Sequence, residues 1–230
     1  MTKISIIIPV LNEAKNIGSL LNYLIVNSSG LNVPEIIVVD GGSTDGSQKI
    51  VSSFKLVKLM SSEKGRAKQM NVGAKASSGD ILYFLHADSI PPKNFDTLII
   101  DEVKKGNKAG CFRMQFDCNH WWLNLASWLT QFKWRACRGG DQSQFITKAL
   151  FDDIGGYDEN YNIYEDNILI NELYKRNQFV VINKKLKTSA RLYKKHGIWK
   201  IQYHYWTIYV KCWFGANSDD IYQYYKKHLS

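Results

Sequence analysis

In the first half of the chain, apolar residues fall in short unbroken runs, and the stretches between them carry helical spacing. Residues 4–10, 35–39 and 80–85 read as strands covered on both faces, because continuous Ile/Val/Leu runs leave no side for water. Residues 12–27 and 66–76 have the mixed pattern of helices, and 56–60 reads as an outer strand. Ser43 is a candidate cap for a helix after the second strand, with Gly46 in its first turn. Beyond Pro91 and Pro92 a further helix is predicted to run to Lys105. Strands alternating with helices predict an α/β fold with a mostly parallel central sheet flanked by helices.

The pattern then changes. Residues 110–116 read as a strand, 121–134 as an aromatic-rich helix, 166–176 as a further helix, and Gln142 opens a strand-like segment. No repeat or low-complexity linker interrupts the chain. Residues 1–197 are read as one domain in two halves, about 1–108 and about 109–197. Residues 198–230 form an aromatic-rich helical annex. Within 198–214, Lys200, His204, Thr207 and Lys211 recur at helical spacing as a narrow polar stripe, with tryptophans and tyrosines on much of the remainder. Such a helix suits the headgroup region of a membrane; core packing or a dimer contact is an equal alternative. Its length and interior charges argue against a bilayer crossing.

Composition narrows the class. With 45% hydrophobic residues the chain has enough apolar surface for a folded core, and a formal charge of +9 favours an anionic partner such as nucleotide, nucleic acid or membrane surface. No nucleic-acid reading module is recognisable, so nucleic acid is not expected. Cys111, Cys118, Cys137 and Cys212 lack zinc-ligand spacing, and the rest of the chain does not resemble a small disulfide scaffold. The amino terminus enters a strand at once, without a signal-like segment. The expected location is cytoplasmic, or peripheral on the inner face of the plasma membrane.

Candidate chemistry sits where the strands end. In open parallel sheets, ligands bind at the carboxyl ends of the strands. Asn12 and Glu13 follow the first strand, Asp40 ends the second, and His86, Ala87 and Asp88 follow the third. Carboxylates there suit a divalent ion, and through it a phosphate. Asp40 is able to accept from a base N–H or ribose hydroxyl, and Gly41 and Gly42 permit close backbone approach. Lys64 and Arg66 stand at a helix amino terminus, an arrangement that makes sense beside an anion. Asp80 begins its strand, too far from Asp88 to share an ion, and is read as an anchor for the preceding loop. The glycine-rich loop at residues 41–46 is neither a P-loop nor a dinucleotide fingerprint.

Seven pieces in order resemble family 2 glycosyltransferases of the GT-A, nucleotide-diphospho-sugar transferase fold. They are Pro9, Asn12 and Glu13 in PVLNE; Asp40 in VDGGSTDG; Lys64, Arg66, Gln69 and Asn71 in KGRAKQMN; Asp80 and His86–Asp88 in DILYFLHAD; Asp141 in GGDQ; Glu165 and Asp166 in YEDN; and Arg191 in TSAR. The His-Ala-Asp step is similar to a small bacterial subgroup. The resemblance implies that Pro9, Asn12, Glu13, Asp40, Lys64, Arg66, Gln69, Asn71, His86, Ala87 and Arg191 contact a nucleoside diphospho-sugar, with UDP-linked donors expected. It gives Asp88 to a Mn²⁺ or Mg²⁺ ion, with His86 as a ligand or one step behind. Asp166 becomes the general base of an inverting transfer, with Glu165 beside it and Asp141 orienting the acceptor hydroxyl or the donor sugar.

The processive continuation Gln-x-x-Arg-Trp is absent after Asp166. The nearest candidate, Gln131–Arg135, comes earlier and has its Trp and Arg reversed, so transfer of a single sugar is expected. The acceptor is a hydroxyl compound, lipid-linked in one reading. Two alternatives stand beside this: a sugar-1-phosphate nucleotidyltransferase, which lacks its glycine-rich triphosphate segment here, and a noncatalytic protein binding anionic ligands or a membrane surface, which leaves the spaced carboxylates without a role.

Overall fold

The computed structural model describes residues 2–229. Elements follow in the order β1 (Ile4–Val10), α1 (Ile17–Asn27), β2 (Glu35–Asp40), α2 (Ser47–Ser52), β3 (Val57–Ser61), α3 (Arg66–Lys75), β4 (Ile81–Phe84), β5 (Ser89–Ile90) and α4 (Phe95–Lys104). The second half adds β6 (Ala109–Phe116), α5 (Trp121–Leu129), β7 (Gln144–Thr147), α6 (Lys148–Ile154), α7 (Glu165–Lys175), β8 (Val180–Thr188), α8 (Arg191–His196), α9 (Ile198–Trp213) and α10 (Ser218–Leu229).

The strands form one sheet in the order β3-β2-β1-β4-β7-β6-β8-β5. The first four are mutually parallel, β7 runs antiparallel between β4 and β6, and β8 returns parallel to β6. Every residue of β1 is buried, as an unbroken apolar run requires. Ile4, Ile6 and Ile8 face the core under α1 and α4, while Ile7 faces the one under α3 and α7. Helix α3 approaches closely because Gly73 has no side chain; a Cβ there would lie 2.5 Å from Ile7. Nearer its amino terminus, α3 is tied to the carboxyl ends of β1 and β2 by Gln69, which donates to the carbonyls of Val10 and Val39.

Three local expectations are corrected. The segment 12–16 is a turn, and α1 starts at Ile17, because Asn12 adopts φ 57° and reverses the chain after β1. Ser43 does not cap α2: its hydroxyl accepts from the Asn12 amide, and Asp45 takes the Ser47 amide instead. The aromatic helix α5 stops at Leu129, short of residue 134, where the Thr130 hydroxyl turns back to the Ser127 carbonyl. Asp80 anchors its surroundings, accepting from the Lys3 amide at 2.9 Å.

The polar stripe of α9 also faces differently from the sequence reading. His204 is buried against α10, 2.8 Å from the Tyr224 hydroxyl and stacked on His228, and Lys211 lies over the Tyr224 ring. α10 supplies partners that the isolated helix pattern did not include. Trp199, Tyr203, Trp206 and Trp213 are exposed, as is Lys200 of the polar stripe. Among the described residues no helix is long and apolar enough to cross a membrane.

Candidate active site

A cleft of about 1870 Å³ opens at the carboxyl ends of β1 and β4 and is walled on the far side by α5, α7, α8 and α9. Pro9, Glu13, Lys64, Arg66, Gln69, His86, Ala87, Asp88, Asp141, Asp166 and Arg191 all line it. Residues far apart in sequence meet here because the parallel strands β1 and β4 end on the same edge, while the segment before β7 and the start of α7 fold back over it.

Two cations organise the carboxylates. Arg66, at the first position of α3, sets Nε 2.8 Å from Glu165 Oε1. The Glu165 side chain is 2% exposed, and its Oε2 has no hydrogen-bond partner among the described residues. Arg191 binds Glu13 with both terminal nitrogens, one at 2.8 Å, and reaches 3.4 Å from Asp88. His86 Nδ1 lies 4.0 Å from Asp141 Oδ1.

The backbone is strained where it delivers the acidic pair. Tyr164 holds φ 72°, an unusual state for a bulky residue, and packs edge-on against Tyr209 of α9. From this bend Glu165 turns inward to Arg66 while Asp166 lines the cleft. Asp166 Oδ1 accepts from the Asn167 amide at 2.8 Å.

Charge states follow from enclosure. Burial, then the Arg66 and Arg191 guanidinium groups, push His86 down to about 3, so its imidazole is neutral at ordinary pH. Burial raises Asp88, with Arg191 pulling the other way. The Asp141 side chain is 54% exposed, but it is exposed within the cleft rather than on the outer surface. The lost hydration, with Asp88 adding repulsion, lifts its carboxyl to about 6. Within the Arg66–Glu165 pair, Glu165 draws the guanidinium upward, while burial pushes the Glu165 carboxyl up against that attraction.

Other predicted residues support the frame rather than present free groups. Gln69 is buried, its amide donating to the carbonyls of Val10 (2.8 Å) and Val39 (2.7 Å), so it fastens β1 to β2. Asn71 clasps Tyr157 through both backbone groups, Nδ2 to its carbonyl at 2.9 Å and Oδ1 to its amide at 3.0 Å. Asn12 Oδ1 accepts from the Thr44 amide, which closes the loop after β2 on the turn after β1. Asp40 is buried; Oδ2 accepts from Gly42, Ser43 and Gln48, and Oδ1 is left without a partner among the described residues. Burial opposes its ionisation, but those hydrogen bonds outweigh it and hold Asp40 below the usual carboxylate range.

Sequence reading missed the far wall. Tyr193 of α8 and Tyr205 and Tyr209 of α9 line the cleft, with Tyr205 facing the Asp141 charge and Tyr209 that of Asp166. The i, i+4 spacing of Tyr205 and Tyr209 was the available signal. Arg138 was also passed over. It is buried, donating to the carbonyls of Thr130 (2.6 Å) and Phe132 (2.7 Å) and to Gln142 Oε1 (2.7 Å), and so holds the loop that carries Asp141. Arg135, in the segment once compared with a processive motif, is tied to Asn167 and Asn171 of α7. Among the described residues, no three His, Cys, Asp or Glu side chains gather as a self-contained metal site.

Known proteins share this architecture. The crystal structure of S. aureus TarS 1-349 in complex with UDP matches with a TM-score of 0.67 at 20% identity, over 82% of this chain and 61% of that one. Glycosyltransferase AglE of Haloferax volcanii is 36% identical over 94 residues, 38% of this chain and 31% of its own length. The dolichol-phosphate mannosyltransferase of Pyrococcus furiosus is 33% identical over 110 residues, 46% of this chain and 31% of its own. The matched part is thus about a third of the length of AglE and of the mannosyltransferase. The model of glycosyl transferase family 2 matches residues 5–158. That match covers more than half of the 230 residues, and the chain belongs to glycosyl transferase family 2.

Proposed function

We propose that the chain transfers a single sugar from a nucleoside diphospho-sugar, UDP-linked in the first instance, to a hydroxyl acceptor with inversion. The observation that carries this reading is the convergence of two anion-binding arginines, Arg66 and Arg191, with Asp88 and Asp166 on one cleft at the strand ends. The amino terminus of α3, with Lys64 and Arg66, suits the diphosphate. The buried, unpartnered Oδ1 of Asp40 and the loop around Asn12 suit the nucleoside.

A divalent ion fits this donor set. Asp88 offers one carboxylate, neutral His86 stands two residues before it, and Asp141 is across the gap. That is too few ligands for a closed protein cage, but it suits Mg²⁺ or Mn²⁺, which take one or two carboxylates and complete their shell with phosphate oxygens and water. When bound, such an ion supplies charge compensation for the departing diphosphate.

The remaining work belongs to this chain's side chains. Asp166 takes the acceptor proton as the new glycosidic bond forms at the anomeric carbon and the bond to the diphosphate breaks. Glu165 keeps Arg66 aimed into the cleft, and Asp141 orients a sugar or acceptor hydroxyl. The location that accompanies this reading is an anionic membrane surface, met by exposed tryptophans of α5 and α9.

The test is a donor screen: UDP-, GDP-, ADP- and dTDP-sugars incubated with the full chain and Mn²⁺, followed for release of nucleoside diphosphate. Release from at least one donor, lost in Asp166→Asn once an acceptor is present, is expected. No release or transfer from any donor would overturn the reading.

A further inference from the structure

We infer that the acceptor is a membrane-held amphiphile, a hydroxyl compound with an apolar tail, and that the tail lies in an aromatic limb of the cleft between α5 and α9. This deepens the transferase reading above and rests on it. Ligand pockets for one small molecule measure roughly 300–1,000 Å³. At about 1870 Å³ the cleft has room for a second substrate beside the donor.

The two ends of the cleft differ in chemistry. The strand-end side carries Glu13, Arg66, Asp88 and Arg191, while the stretch between α5 and α9 is lined mainly by Met114, Phe116, Trp122, Leu129 and Trp206, with Gln202 accepting from the Trp122 indole and Thr130 bonded back to Ser127. Phe116 and Leu129 offer no hydrogen-bonding group to a polar chain such as an oligosaccharide, and Met114 offers only a weakly accepting thioether. They suit a hydrocarbon.

This apolar limb reaches the outside. Trp122 touches both Trp199 and Trp206, with ring centroids 5.4 and 5.9 Å apart. Trp206 lines the cleft and is itself 50% exposed. On α9, Trp199, Tyr203, Trp206, Val210 and Trp213 repeat at alternating steps of four and three, and all are exposed. On α5, Trp121, Leu125 and Trp128 follow the same steps and are exposed, and Trp121 meets Trp199 at 5.9 Å. The result is one apolar face shared by two helices and continuous with the reaction cleft.

A bilayer surface is the occupant this face fits. Its large residues are mainly Trp and Tyr, the types enriched where hydrocarbon meets headgroups. Exposed Lys195 and Lys200 flank Trp199 in the sequence, a charge complement to anionic lipid, while nearby Lys194 is paired with Asp117. A tail anchored in the membrane would pass from that face along Trp206 and Trp122, leaving its hydroxyl at the Asp141–Asp166 end.

Two measurements on the full chain test this. The first titrates a dodecyl glycoside brominated along its chain, below its micelle concentration, and follows tryptophan emission, with a methyl glycoside as control. Saturable quenching by the dodecyl compound alone is expected, weakened by about tenfold in Leu129→Gln and in Trp206→Ala variants that keep the wild-type circular dichroism. The second compares transfer to methyl, butyl, octyl and dodecyl glycosides, free and in phosphatidylglycerol vesicles. Efficiency should climb by up to roughly fourfold per methylene over the short chains and be highest in vesicles.

Equal use of methyl and dodecyl acceptors, or better use of a soluble oligosaccharide, would overturn the inference. So would a dodecyl advantage that vesicles abolish, or quenching that both variants leave intact. Donor release without dodecyl quenching defeats the inference and spares the transferase reading. Specific quenching without turnover of any donor defeats the transferase reading, and the inference of an acceptor with it, leaving only an apolar-chain site.

Discussion

Arg66 Nε stands 2.8 Å from Glu165 Oε1, joining the first residue of α3 to the first residue of α7 across the cleft. Glu165 is buried while Arg66 remains 41% exposed toward the cleft. Arg66 thus pairs a buried carboxylate, and in the proposed function it also presents cationic edges to the donor. Arg66→Ala should raise the donor KM by about tenfold or more and lower stability by about 1–3 kcal/mol, a loss moderated by the water that reaches the arginine. Adding Glu165→Gln should recover much of the lost Tm without restoring KM. An unchanged donor KM in Arg66→Ala would remove the residue from the binding site.

Asp166 lines the cleft beside a strained Tyr164, whereas Glu165 is turned away into its ion pair. Asp166, and not Glu165, is therefore the residue proposed as the base. Asp166→Asn should cut kcat by at least ~100-fold while donor KM changes by less than about twofold. Near-normal turnover in steady-state kinetics would defeat that assignment.

Asp141 gives the site a pH signature. Its carboxyl is raised to about 6, so the ionised form is lost as pH falls through that value. The kcat/KM of the wild type should decline below about pH 6. In Asp141→Asn that inflection should be absent at a lower plateau. The stability effect has the opposite sign. A carboxyl whose folded pKa exceeds its unfolded one favours folding in its protonated form, and that favour is lost as pH rises through about 6. The Tm of Asp141→Asn relative to wild type should therefore rise between pH of about 4 and about 7.5. A constant Tm difference across that window would contradict the proposed environment.

Arg191 fastens Glu13 at the end of β1 and approaches Asp88 at 3.4 Å from the start of α8. A flat, forked cation is suited to bridge two carboxylates and then a diphosphate. Arg191→Ala should raise donor KM by about tenfold, and Arg191→Lys should restore only part of that, since it returns charge without the fork. Full rescue by lysine would show that charge alone matters.

Much of the sheet was legible because β1, β2 and β4 are buried on both faces and show it as unbroken apolar runs. The strand-end positions of Asp88 and Glu13 followed from the same runs. The orientation of α9 was not legible. His204 looked like part of a solvent stripe, and only the packing of Tyr224 and His228 from α10 turns it inward. Nor did local pattern distinguish Gln69, which ties two strand carbonyls, from a residue free to meet a nucleotide. The left-handed turn at Tyr164 is imposed by tertiary contacts, and an aromatic residue gives no warning of it.

The central claim is that the end of β4 binds a nucleoside diphosphate together with a divalent ion held by Asp88. Calorimetric titration of UDP into metal-stripped full chain, with and without Mn²⁺, tests it most directly when repeated on Asp88→Asn. The account predicts saturable binding that needs the ion and weakens by at least about tenfold in the variant. Binding of equal strength in chelator and in Asp88→Asn would contradict it.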